Sequence, residues 1–98
     1  MDHILKCWPE YFEPILFGDK TLEFRKNDRD YKIGDRLILR EWVPAAEMYT
    51  GRELTVSVSY IITKFPGLAE GYCVMSIVQR AGQAKRFRPD LAGTKDVA

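Results

Sequence analysis

A chain of 98 residues with 46% hydrophobic and 30% charged side chains has the size and composition of one soluble globular domain, which excludes a disordered class. Its apolar runs are only a few residues long and no basic leader precedes an apolar segment at the start, so neither a membrane partner nor secretion is expected, and a cytoplasmic location is. The formal net charge of +1 hides an asymmetry, because residues 1–79 hold 10 Lys/Arg against 12 Asp/Glu and residues 80–98 hold 5 against 2; the body is no generic polyanion binder, and nucleic-acid affinity would need a local basic patch or the C-terminal segment.

Residues 2–8 read as a first strand. Pro9 suits a first helical position, where its missing N–H costs nothing, and Phe12, Ile15 and Leu16 follow at helical spacing with Trp8 one turn earlier. Pro14 cannot donate to residue 10 and crowds its carbonyl, so a short or kinked helix of about two turns, stopped at Gly18, is expected. Residues 21–26 form a second strand and Asn27-Asp28-Arg29-Asp30 a polar turn. Residues 31–35 form a further turn, with Gly34 at positive φ. Residues 36–43 read as a third strand with Leu37, Leu39 and Val43 on one face. Residues 44–51 read as a loop ending in the turn chemistry of Tyr49-Thr50-Gly51-Arg52.

The clearest alternation runs over 53–63. Leu54, Val56, Val58, Tyr60 and Ile62 fall on one side and Thr55, Ser57, Ser59 and Thr63 on the other, with Ile61 as the exception, as in a half-buried antiparallel strand. Phe65-Pro66-Gly67-Leu68 breaks it. Residues 72–78 are apolar on both faces, as in a central strand. From Ala81 onward periodicity ends, so a domain at 1–80 with a basic, flexible tail at 81–98 is expected. The sum is an α+β, mainly β class: a small, partly closed β-barrel of five strands with one N-terminal helix at its mouth. Cys7 and Cys73 lie in strand-like apolar runs and read as buried free thiols. With His3 the single histidine and no Cys-x-x-Cys pair, neither a metal nor another cofactor is expected.

The segment Gly18-Asp19-Lys20-Thr21-Leu22-Glu23-Phe24-Arg25 is the most informative in the chain. In a strand, Thr21, Glu23 and Arg25 point one way and Leu22 and Phe24 the other. A hydroxyl, a carboxylate and a guanidinium in one row beside a lysine make either a solvated strand face or the floor of a polar pocket. These residues resemble the ASCH group of the PUA-like superfamily, whose signature Gly-x-Lys-x-x-Glu-x-Arg follows the first helix and is matched by Gly18, Lys20, Glu23 and Arg25. Flanking words resemble a small branch of that group often of phage or prophage origin: 5–12 (Leu-Lys-Cys-Trp-Pro-Glu-Tyr-Phe), 25–31 (Arg-Lys-Asn-Asp-Arg-Asp-Tyr), Ile33-Gly34-Asp35, and Glu41-Trp42 with Tyr49-Thr50-Gly51-Arg52. The resemblance covers roughly residues 3–79. It implies a β-barrel with the signature lining a cleft beside the first helix, and RNA or modified-nucleoside recognition.

Some relatives in that group are small amidohydrolases that deacetylate acetylated cytidine by means of a lysine, a threonine and a distant glutamate; others are reported as nucleases. Lys20 matches the lysine, Glu23 stands at the threonine's position, and the glutamate has no motif match, Glu70 lying in about the right region. Three readings follow. In the first, an RNA- or nucleotide-binding module holds its ligand through Lys20, Glu23 and Arg25. In the second, a metal-independent hydrolase of an acylated nucleoside uses Lys20 and Glu23 as base and acid, with Thr21 assisting. In the third, a phage-type interaction factor acts through its surface on a protein partner.

Each candidate has a plainer alternative. Lys20 is a phosphate clamp or catalytic group, or else an exposed loop lysine; Glu23 and Arg25 form a buried orienting pair or a surface ion pair contributing about 0–1 kcal/mol. Trp8, Tyr11, Trp42 and Tyr49 stack bases or cap the core. Asn27, Asp28 and Arg29 read a base edge and sugar, or cap their own turn. Arg80, Lys85, Arg86 and Arg88 contact phosphates or are simply solvated.

Overall fold

The computed structural model of this chain describes residues 1–79, in the order β1 (Asp2–Cys7), α1 (Pro9–Leu16), β2 (Leu22–Lys26), β3 (Arg36–Val43), β4 (Met48–Ile62) and β5 (Tyr72–Gln79). The basic 81–98 segment lies outside the described residues. The five strands make one mixed sheet in the order β1-β3-β4-β5-β2. β1 runs parallel to β3, and all other neighbours are antiparallel. The sheet curls into a half-barrel with the short helix against it, the α+β, mainly β architecture expected. No helix among the described residues is long and apolar enough to cross a membrane.

The core is the concave side: Leu5, Cys7, Leu37, Leu39, Leu54, Val56, Val58, Cys73, Met75 and Ile77 from the strands, with Phe12 and Ile15 from the helix. Both cysteines are buried and unpaired with each other. Two features depart from the alternation. β4 begins at Met48, not near residue 53, because its first residues pair with the end of β3 in a tight hairpin (Val43 opposite Met48). Its register with β5 also shifts between Val58 and Tyr60. That bulge reverses which side each later residue faces. Tyr60 and Ile62 therefore turn to solvent, and Ile61, the exception in the pattern, packs on the core.

Polar residues reach the interior in two further places. His3 Nε2 lies 2.8 Å from Asp35 Oδ2, which also accepts the Lys32 N–H at 3.0 Å. The His3 contact, helped by the Lys32 N–H, holds the Asp35 carboxyl below its ordinary range against the cost of burial. Elsewhere, Glu41 accepts from Thr50 Oγ1 (2.6 Å) and from Arg52 Nε (2.9 Å) and Nη2 (3.0 Å), and Arg52 reaches on to Glu13 of the helix at 3.0 Å. The words 41–42 and 49–52, read as a strand end and a turn, thus form a bracket between hairpin and helix.

Candidate functional site

The end of α1 determines where Lys20 goes. Gly18 has φ +87°, a conformation L side chains resist. Its N–H donates to the Ile15 carbonyl at 3.1 Å and that of Asp19 to the Pro14 carbonyl at 2.8 Å, the paired bonds of a glycine-terminated helix. Lys20 N–H donates to the same Pro14 carbonyl at 3.0 Å, which turns the chain directly into β2. Within β2 the polar side faces inward: Glu23 is 4% exposed, whereas Leu22 and Phe24 are 42% and 61% exposed. Glu23 and Arg25 of the row line the floor of a pocket rather than a solvated face, and Thr21 stands outside it.

That pocket is a cavity of about 550 Å³ lined by Lys6, Cys7, Trp8, Tyr11, Lys20, Glu23, Phe24 and Arg25. It opens where the two edge strands of the sheet, β1 and β2, approach each other without pairing. Arg25 spans the gap: its Nε donates to Glu23 Oε2 at 2.6 Å and its Nη2 to the Lys6 carbonyl at 2.8 Å. Lys20 Nζ donates to Glu23 Oε1 at 3.3 Å and to the Leu22 carbonyl. One buried carboxylate is thus held between two cations, one on each oxygen. The ammonium and guanidinium carry three and five N–H donors, and these contacts use two of each, so donors remain for a ligand.

The opposite wall is aromatic. Trp8 and Tyr11 stack with ring centroids 6.2 Å apart, and Lys20 Nζ lies 5.7 Å from the Tyr11 centroid. Cys7 closes the back. Burial, with the charge of Glu23, pushes its thiol up to about 11, so at neutral pH it is protonated and a poor nucleophile. A folded value above that of an ordinary thiol means stability is whole below about pH 9 and is lost as pH rises through about 11. Two results are expected: iodoacetamide leaves Cys7 unmodified in the native protein at pH 7.5, and the urea midpoint falls between pH 9 and 11 by more than in Cys7→Ala. Rapid native labelling would contradict this account.

The cavity gathers Trp8, Tyr11, Lys20, Glu23 and Arg25 of the sequence candidates. Thr21 lines a second cavity of about 460 Å³ on the other side of Lys20. Asn27 serves its own turn, its Oδ1 accepting the Tyr31 N–H at 3.2 Å, while Asp28 and Arg29 are exposed beyond it. Trp42 and Tyr49 meet edge to face at 4.9 Å on the β3–β4 hairpin, with Lys6 Nζ 3.8 Å over the Trp42 ring. Glu70 is exposed in the connection before β5 and outside the cavity lining. Sequence reasoning missed Lys6, Cys7 and Phe24; the first two lie in the word 5–12, but only the meeting of the sheet edges brings them to the site.

Residues 2–77 match the model of the family described as a domain of unknown function, DUF3850. The chain is also similar to a protein of Escherichia phage P2 described as an uncharacterized 12.9 kDa protein in the GpA 3′ region, at 44% identity over 57 residues, 58% of this chain and 50% of that protein. The chain therefore spans about half the length of the curated relative it matches.

Proposed function

The chain belongs to the DUF3850 family, and from that premise and the cavity we propose that it is a nucleotide-binding module that takes an unpaired RNA base or a nucleotide between its aromatic and cationic walls. The observation that carries this reading is the pairing of the Trp8–Tyr11 stack with Lys20 and Arg25 around one cavity. Rings hold a base face without regard to its identity, and the remaining donors favour phosphate or carbonyl oxygens. A cavity of about 550 Å³ is within the range of small-ligand sites. The signature beside the first helix agrees with membership of the ASCH group of the PUA-like superfamily, which we include in the proposal.

Glu23 is engaged by a cation on each oxygen, a state suited to organising donors rather than to moving a proton. The test is an amide NMR titration of labelled protein with a short unpaired RNA and then with acetylated cytidine. Shifts at 20–25 with RNA and no new product are expected. Released acetate would make the cavity a hydrolase site, and no shift with either would favour a protein partner. Lys20→Ala, at a side chain 26% exposed, is expected to leave the fold intact and to weaken RNA binding about tenfold or more; unchanged affinity would sink the reading.

A further inference from the structure

We propose that the outward face of β2, β5 and the end of β4 is a stacking platform for the unpaired nucleotides that flank the one held in the cavity; this rests on the nucleotide-binding reading above. The register builds the platform. Phe24 lies beside Val74, which lies beside Ile62; Leu22 lies beside Ser76, which lies beside Tyr60; and Lys26 lies beside Tyr72. Paired residues share a face, and these face solvent: Phe24 is 61% exposed, Tyr60 60%, Tyr72 44% and Leu22 42%. Tyr60 belongs to this face only because of the bulge after Val58.

A contiguous exposed face of this kind marks a contact surface, and its three exposed rings beside a lysine suit nucleic acid. Leu22, Ile62, Val74 and Ser76 lie among its rings, Lys26 stands at its end, and no carboxylate is among the outward residues of β2, β5 and positions 60–62 of β4. Phe24 and Tyr72, on adjacent strands one row apart, are diagonal neighbours about 7–8 Å from each other. Exposed rings on a sheet receive successive bases whatever their sequence. The inner side of the same strands is core, with Cys73, Met75 and Ile77 at or below 6% exposure, so the platform is rigid. It is continuous with the cavity, because Phe24 also lines that cavity.

The test compares uridine 5′-monophosphate with a six-nucleotide uridine RNA, both titrated into the 98-residue chain at constant salt. The variant is the double substitution Tyr60→Ala and Tyr72→Ala, at two exposed rings outside the cavity. The hexamer is expected to bind wild type more tightly than the monophosphate. The double variant is expected to bind the hexamer about tenfold or more weakly and the monophosphate unchanged. Unchanged hexamer affinity in the double variant, with both ligands weakened by Lys20→Ala, would overturn the platform and leave the cavity reading standing. Failure of wild type to bind either ligand would overturn both. Self-association of wild type that disappears in the double variant, with hexamer affinity unaltered, would make the face a protein interface and overturn the proposal.

Discussion

Phe12→Ala is expected to lower the unfolding free energy by about 3–5 kcal/mol, the range for removing a buried aromatic ring from a packed core. Phe12 is 1% exposed and, with Ile15, is one of only two buried residues of α1. A helix of eight residues has no stability of its own in water. This one also lacks a side-chain cap at its N-terminus and carries Pro14 in its interior, so packing through Phe12 and Ile15 holds it. The ring is also covered by the Arg52 guanidinium, 5.0 Å from its centroid. Against a typical domain stability of about 5–15 kcal/mol, the loss is large. Tyr11→Ala, at the adjacent but 47% exposed ring, is the control and is expected to cost under about 1 kcal/mol. Urea unfolding monitored by far-UV circular dichroism decides: equal midpoints for the two variants would show that Phe12 does not anchor the helix. The same helix carries the Trp8–Tyr11 wall, so Phe12→Ala should also weaken ligand binding while Lys20 and Arg25 remain.

Arg52→Ala is expected to cost about 2–3 kcal/mol, below the full penalty for breaking a buried pair because Arg52 is itself 43% exposed. What the substitution leaves behind is Glu41, 4% exposed, with Thr50 alone among the described residues to satisfy it. The hydrogen bonds from Arg52, with that from Thr50, hold the Glu41 carboxyl below its ordinary range despite burial. A depressed folded value means this contribution is present above the ordinary carboxylate range and is lost as pH falls through the depressed value. The stability difference between wild type and Arg52→Ala should therefore be widest near neutrality and close in acid. Arg52→Lys should recover only part of it, since an ammonium cannot hold both carboxylate oxygens as the guanidinium fork does. Denaturant midpoints at pH 7 and pH 3 test this, and a difference that does not change with pH would refute the assignment.

The order of elements was legible because each follows a local rule. Pro9 opens the helix and Gly18 closes it, Gly34 takes φ +95° in its turn, and strand residues alternate. What escaped is non-local. The bulge that sends Tyr60 outward is a property of the β4–β5 register, and no residue at 58–60 announces it. The bracket of Glu41, Thr50, Arg52 and Glu13 needs a hairpin and a helix to meet. For the site, Gly18, Lys20, Glu23 and Arg25 could be picked out by spacing, but which side of β2 faces inward could not. Apolar Leu22 and Phe24 would ordinarily be buried, yet the carboxylate is inside because two cations accompany it. Asn27 was legible as a turn former but not as separate from the cavity.

The strand order also governs when the cavity comes into being. β2 follows α1 directly in the chain, yet among the described residues its one neighbour in the sheet is β5, the last strand. During synthesis β1, β3 and β4 can assemble as soon as the β3–β4 hairpin emerges. The segment bearing Glu23 and Arg25 must wait for Tyr72–Gln79, because long-range pairings form only when both partners are available. A nascent chain halted before β5 would hold the aromatic helix and most of the sheet with no polar floor beneath them. On the proposed function, ligand competence would thereby be coupled to the pairing of β2 with β5.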